Sequence, residues 1–169
     1  MRIGLLAETD RQRLAAVLEN LSTKQASEVM TQPAVTIEEN KTVVEAVKLM
    51  LEKGVKRLPV VDKTGKFTGI LSLVDIFHTV MRECPSWSAL QEQGIEIADL
   101  HSASGIMRNS EIMNTRIVTI REDATVDEAM RIMLERAIKR LPVLDAEGRF
   151  KGMISRASLL RKGFKRSNT

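Results

Sequence analysis

The sequence predicts an α+β fold built from one unit used twice, each copy running strand–helix–strand–strand–helix. The first observation is a repeat. Val55 to Ile76 (VKRLPVVDKTGKFTGILSLVDI) returns without a gap as Ile138 to Leu159 (IKRLPVLDAEGRFKGMISRASL). Pro59, Asp62, Gly65, Gly69 and Ser72 recur 83 residues later as Pro142, Asp145, Gly148, Gly152 and Ser155. A fixed internal period marks a duplicated structural unit. The second observation is that, within each copy, apolar residues switch between the helical spacing and short β-rich runs.

Composition bounds the problem. The chain has 169 residues, 43% apolar and 28% charged, ordinary for a globular protein. Aromatics make up 3% and Tyr is absent, so Leu, Ile, Val, Met and Ala must form the core. Few stacking platforms remain for single-stranded nucleic acid. The net charge of +4 permits an anionic partner without requiring one. Much of the excess sits in Arg161–Arg166, which reads as a solvated end. The single cysteine, Cys84, allows no intramolecular disulfide and fits a reducing compartment. No apolar run approaches the ~18 residues of a membrane span, and Ile3–Ala7 is too short for a signal core. The expectation is a soluble, cytoplasmic chain, or a soluble piece of a larger one.

Five segments follow in order: an N-terminal helical extension (1–21), a first repeat (22–82), a connector (83–105), a second repeat (106–164) and a basic tail (165–169). In the extension, Thr9–Gln12 has the capping-box pattern, and Leu14, Val17, Leu18 and Leu21 make an amphipathic stripe. Ser22–Gln25 offers another capping box, opening a short helix toward Met30. Ala34–Ile37 reads as a strand. Thr42 and Glu45 cap a helix whose stripe is Val43, Ala46, Val47, Met50 and Leu51, ended by Gly54. Leu58–Val61 and Phe67–Ser72 form a hairpin around the turn Asp62–Gly65. Leu73–Met81 reads as a helix with Val74, Phe77 and Met81 in the core.

The second repeat copies this with Val118–Ile120, a Thr125/Glu128 cap, a stripe of Val126, Ala129, Met130, Met133 and Leu134, and a hairpin from Leu141 to Ser155. Ala137 replaces Gly54. A left-handed alanine would be strained by ~1 kcal/mol, so that helix is expected to end differently. The connector carries the only tryptophan, Trp87, between Pro85 and Gly94, with a short helix at 86–93.

This order, with LPV(V/L)D before each hairpin and G-x-x-S after it, resembles the CBS (cystathionine β-synthase) domain, present twice as in a Bateman module. The resemblance covers about Ser22 to Gly163. It implies pseudo-two-fold packing of the repeats, pairing of modules into homodimers, and clefts that bind AMP, ADP, ATP or S-adenosylmethionine. The implied role is regulation of a partner protein or attached domain, with no obligatory cofactor.

The residues support that reading. Gly69–Asp75 matches the family ending G-h-h-[ST]-x-x-D. A carboxylate can accept two hydroxyl hydrogen bonds, so Asp75 suits a ribose diol, and Ser72 can donate to a ribose or phosphate oxygen. The same pair also suits plain capping of the helix that follows. By resemblance, Lys56, Arg57, Lys139 and Arg140 line the clefts through backbone groups that read adenine. Their side chains can meet phosphate or remain solvated. Val35, Ile117, Pro59 and Pro142 serve equally as purine walls or as core. In the second copy Ser155 keeps the serine position, but Ser158 stands where the first copy has Asp75, and Arg156 is new and able to reach a phosphate. One ribose-competent cleft, at Asp75, is therefore expected.

No nucleophile–base–orienter set, P-loop or dinucleotide fingerprint is present, so no catalysis is expected. Asp75 and His78 are at most half a metal site. Three functions compete: a nucleotide-sensing regulatory module; a ligand-free module that dimerises or docks a partner through the first helix or the Trp87 segment; and, least favoured, nucleic-acid binding through the basic tail and the Lys-Arg pairs.

Overall fold

The structure, a computed structural model, describes residues 8–32, 35–83 and 108–166. Cys84, Trp87, His101 and the expected helix at 86–93 lie outside them. The chain forms two compact units that divide at Pro33/Ala34 and Ile117/Val118.

The unit after Pro33 contains β1 (Ile37–Glu38), α1 (Val43–Lys53), β2 (Arg57–Val61), β3 (Phe67–Ser72), α2 (Leu73–Glu83) and α3 (Asn109–Ile112). Its sheet has the order β1-β2-β3, parallel then antiparallel. Thr42 and Glu45 make the expected capping box: Glu45 N donates to Thr42 Oγ1 at 3.2 Å and Thr42 N to Glu45 Oε2 at 2.8 Å. Ala46 and Met50 are buried against Leu58, Val60, Leu71 and Ile76. Each buried Val, Leu, Ile or Met among them contributes roughly 1.5–3 kcal/mol.

Pro59 sits inside the central strand. Its partner Ile70 spends its backbone groups on Asn114, at 3.0 and 2.8 Å, so the ring nitrogen faces the β1 side. There the ladder begins only at Val60, and no donor is missed.

The other unit repeats β1 through α2, 83 residues on: β4 (Ile120–Arg121), α4 (Val126–Glu135), β5 (Arg140–Leu144), β6 (Phe150–Ser155) and α5 (Arg156–Arg166). It also contains α6 (Glu8–Ser22) and α7 (Ala26–Val29), which precede the first repeat in the chain. Repeat and compact unit therefore do not coincide. Thr31 pairs with Met153 in both directions at 2.8 Å, whereas Asn114 pairs with Ile70. Glycine makes both approaches possible. A Cβ on Gly69 would lie 2.7 Å from Asn114 O, and one on Gly152 would lie 2.8 Å from Thr31 O.

Several sequence expectations are corrected. Helix α6 already includes Thr9, so the Thr9–Gln12 pattern is not its start. Ser22 closes α6 by donating to Glu19 O at 2.6 Å, and the box that opens α7 is Gln25/Glu28. The first strands begin later than expected, at Ile37 and Ile120, because only those residues reach the ladder. Leu51 and Leu134 are 70% and 77% exposed, at the rim of their stripes. Val74, Phe77 and Met81 are 58%, 62% and 60% exposed, and α2 turns Ile76 to the core instead. The stripe of α6 finds its place within its own unit: Val17 and Leu21 are buried, and Val17 meets α5 at Gly163, where a Cβ would collide with Val17 Cγ1.

Ala137 is left-handed after all, at φ 53°. Its turn copies that of Gly54, with Ala137 N donating to Leu134 O at 3.3 Å and Ile138 N to Met133 O at 3.1 Å. The Arg156 Nη2 donates to Met133 O at 3.4 Å and to Ile138 O at 2.9 Å. A cation on the last carbonyls of a helix supports a terminus that alanine strains.

Candidate functional site

Ser72 ends β3 and caps α2. Asp75 N donates to Ser72 Oγ at 3.1 Å, and Ser72 Oγ donates to Asp75 Oδ2 at 2.5 Å. The cap is fixed to the sheet because Ser72 pairs with Arg57 on β2, and Leu73 N donates to Lys56 O at 3.1 Å. Capping is thus fulfilled, yet it uses only one carboxylate oxygen. Asp75 Oδ1 has no partner among the described residues. The carboxylate is half-buried on the wall of an open recess of about 600 Å³, completed by His78, Thr79, Met81 and Ile112.

Asp75 is the one sequence candidate on that wall. Ser72 is buried behind it. The side chains of Lys56 and Arg57 are exposed, and the Lys56 carbonyl is already used. Val35 packs on the core of its unit, Pro59 is buried in β2 and Ile117 is half-buried. Thr79, Met81 and Ile112 were not singled out as site residues. Met81 had been placed in the core, because an apolar period does not say which side of a two-faced helix is covered.

At the corresponding place in the other unit the two serines bond to each other and to the backbone. Ser155 N donates to Ser158 Oγ at 2.9 Å, Ser158 N to Ser155 Oγ at 3.0 Å, and Ser158 Oγ to Ser155 O at 2.9 Å. Ser158 is buried, and these bonds satisfy it without any charge. Arg156, expected to be available to a phosphate, spends its Nη2 on the end of α4. The Lys139 carbonyl takes Arg156 N at 3.3 Å, Lys139 and Arg140 are exposed, and Pro142 is buried. Among the described residues no group of three His, Cys, Asp or Glu could hold a metal, and no helix is long and apolar enough to cross a membrane.

Comparison with known proteins agrees with this architecture. The family described as CBS domain matches residues 26–82 and 110–165. A CBS domain-containing protein of Dictyostelium discoideum is 32% identical over 133 residues, 79% of this chain and 86% of its own. Other relatives are longer: 139 residues match the inosine-5′-monophosphate dehydrogenase of Methanocaldococcus jannaschii at 27% identity, covering 82% of this chain and 23% of that enzyme. Among solved structures, the CBS-pair protein CBSX2 of Arabidopsis thaliana, in complex with AMP, superposes with a TM-score of 0.62 at 23% identity, covering 85% of this chain and 98% of that one. The CBS domain pair of protein MJ0100, in complex with 5′-methylthioadenosine and S-adenosylmethionine, gives 0.58 at 23%, with the same coverage of 85% and 98%.

Proposed function

Since the chain belongs to the CBS domain family, as a tandem pair, we propose that it is a regulatory module that binds an adenosine-containing ligand at the first repeat and passes the bound state to a partner. The observation that carries this is the Asp75 carboxylate. Ser72 orients it through one oxygen, and the other is left for a ribose hydroxyl on the wall of an open recess. The complexes of similar fold with AMP, 5′-methylthioadenosine and S-adenosylmethionine support the ligand class. The match to a minor part of a longer enzyme supports a regulatory rather than catalytic role.

The second repeat serves as scaffold in this reading. Its Ser155–Ser158 pair is saturated, and Arg156 braces the Ala137 turn. A ligand that binds the folded form raises its melting temperature by mass action. The test is a thermal-shift panel of AMP, ADP, ATP, 5′-methylthioadenosine and S-adenosylmethionine against the native chain, Asp75→Ala and Ser158→Ala. A ligand-induced rise that Asp75→Ala abolishes and Ser158→Ala preserves is expected. No rise with any ligand at millimolar concentration refutes the proposal.

A second reading, a ligand-free interaction module, draws on the exposed Val74, Phe77 and Met81 of α2. It predicts that charged substitutions at Phe77 alter oligomeric mass while ligands have no effect.

A further inference from the structure

We infer that the recess beside Asp75 receives the positively charged part of its ligand, so that the first repeat selects an adenosine with a cationic 5′ substituent over one with a phosphate. The inference rests on the adenosine reading above and specifies the ligand class for the same site.

The second unit serves as an internal reference for the first. Helices α7 and α3 occupy equivalent positions, each opened by a box whose partners lie three positions apart, Gln25/Glu28 and Arg108/Glu111, with bonds of 2.8 Å. Each closes with the same backbone bond, Met30 N to Ala26 O and Met113 N to Asn109 O, both at 2.9 Å. Each is followed by the same two-way pairing to the last strand. Equivalent atoms of the two units can therefore be compared residue by residue.

In the second unit, the Lys162 ammonium donates to two carbonyls at the end of α7: Met30 O at 3.1 Å and Glu28 O at 3.3 Å. The helix end, with its partial negative charge, is thereby satisfied by a cation. In the first unit the equivalent of Lys162 is Thr79, whose hydroxyl turns back to Asp75 O at 2.9 Å. The equivalent carbonyls belong to Glu111 and Met113, on either side of Ile112. The space that the lysine would fill is the recess itself, for Thr79 and Ile112 both line it.

A second exchange acts in the same direction, with Asp75 in place of the neutral Ser158. The first repeat has thus lost an ammonium and gained a carboxylate at one spot, and both changes favour a cation in the recess. Asp75 and Thr79 lie one helical turn apart, about 5–6 Å between Cβ atoms. A ribose held at Asp75 sets a 5′ sulfonium or ammonium beside that carboxylate and toward those carbonyls, whereas a phosphate there meets the same acceptors and finds side-chain donors only at His78 and at the Thr79 hydroxyl, which is turned to Asp75 O.

The test is calorimetric titration of the full chain with S-adenosylmethionine, 5′-methylthioadenosine and AMP, repeated on Thr79→Lys. The native chain should bind S-adenosylmethionine at least about tenfold more tightly than either neutral 5′-methylthioadenosine or AMP, as a charge-assisted contact to carbonyls allows. Thr79→Lys supplies the ammonium from within and should remove that preference, while its melting temperature stays at or above that of the native chain. AMP binding as tightly as S-adenosylmethionine to the native chain overturns the inference and leaves the adenosine reading standing. So does a preference that Thr79→Lys does not change. Should Thr79→Lys fail to fold, the three affinities of the native chain decide alone. No heat with any of the three overturns both readings.

Discussion

The two left-handed helix ends provide a measurement in which chemistry is reversed between two copies of one turn. Gly54 has φ 64° and no atom within 4 Å of where a Cβ would stand, so Gly54→Ala meets a backbone penalty and nothing else. A left-handed alanine costs roughly 1–2 kcal/mol, offset by the ~0.5–1 kcal/mol of extra freedom that glycine loses on folding. Gly54→Ala should therefore destabilise by about 1 kcal/mol, and Ala137→Gly should stabilise by about the same. Either shift corresponds to roughly 2–4 °C in melting temperature for a chain of this length. Arg156 adds a third arm. Its bonds to Met133 O and Ile138 O should make Arg156→Ala costly in the native background and less so with Ala137→Gly, a coupling that a double-mutant cycle resolves. Urea titrations of the four variants, with circular dichroism to track secondary structure, supply the data. Loss of stability on Ala137→Gly would refute the strain argument. If Arg156→Ala instead weakened ligand binding at unchanged stability, the bracing role assigned to Arg156 would be wrong.

Two further outcomes are expected. Asp62 accepts from Thr64 Oγ1, Thr64 N and Lys66 N, and these bonds, the Thr64 side chain first, hold its carboxyl below the usual range. Asp145 is lowered in the same way, chiefly by Arg149 N. A depressed folded-state pKa contributes stability above the unfolded value that is lost as pH falls through the folded one, so the melting temperature should drop below ~pH 4. Asp62→Asn with Asp145→Asn should flatten that limb; an unchanged acid limb would exclude these turns as its source. Gly163→Ala should lower stability by about 1–3 kcal/mol through collision with Val17, and Val17→Ala should restore part of it. Strict additivity of the two would show that α6 does not dock there.

The duplicated pattern made most of the architecture legible, since capping at Thr42 and Thr125, both hairpins and the helix after the first hairpin follow from local chemistry; the helix over Arg156–Arg166 does not, because its basic residues read as a solvated end. Asp75 was also legible, as a carboxylate one turn into a helix that a serine caps. Burial on α2 was not. Its apolar residues occupy two faces, and periodicity cannot say which one a sheet will cover, so Phe77 was placed inside while Ile76 takes that position. Nor does a local strain argument foresee that Ala137 keeps the left-handed turn, because the cation supporting it comes from nineteen positions further along, at Arg156. The pairing of Asn114 with Ile70, and of Thr31 with Met153, is not announced by the sequence either. A repeat records that copies exist, but not which strand closes on which leading segment.

That last feature has a consequence for biosynthesis. One compact unit is a single continuous stretch, Ala34–Ile117, while the other is assembled from Met1–Pro33 and Val118–Thr169. Chains emerge from the ribosome N-terminus first, and domains tend to fold as they are completed. The unit that bears Asp75 can close as soon as residue 117 has emerged. The opening helix must wait for Val126–Glu135 and then for α5, more than a hundred residues further along, before its buried face is fully covered. The half assigned to ligand binding is thus the half that matures first, and the half assigned to scaffolding is completed later.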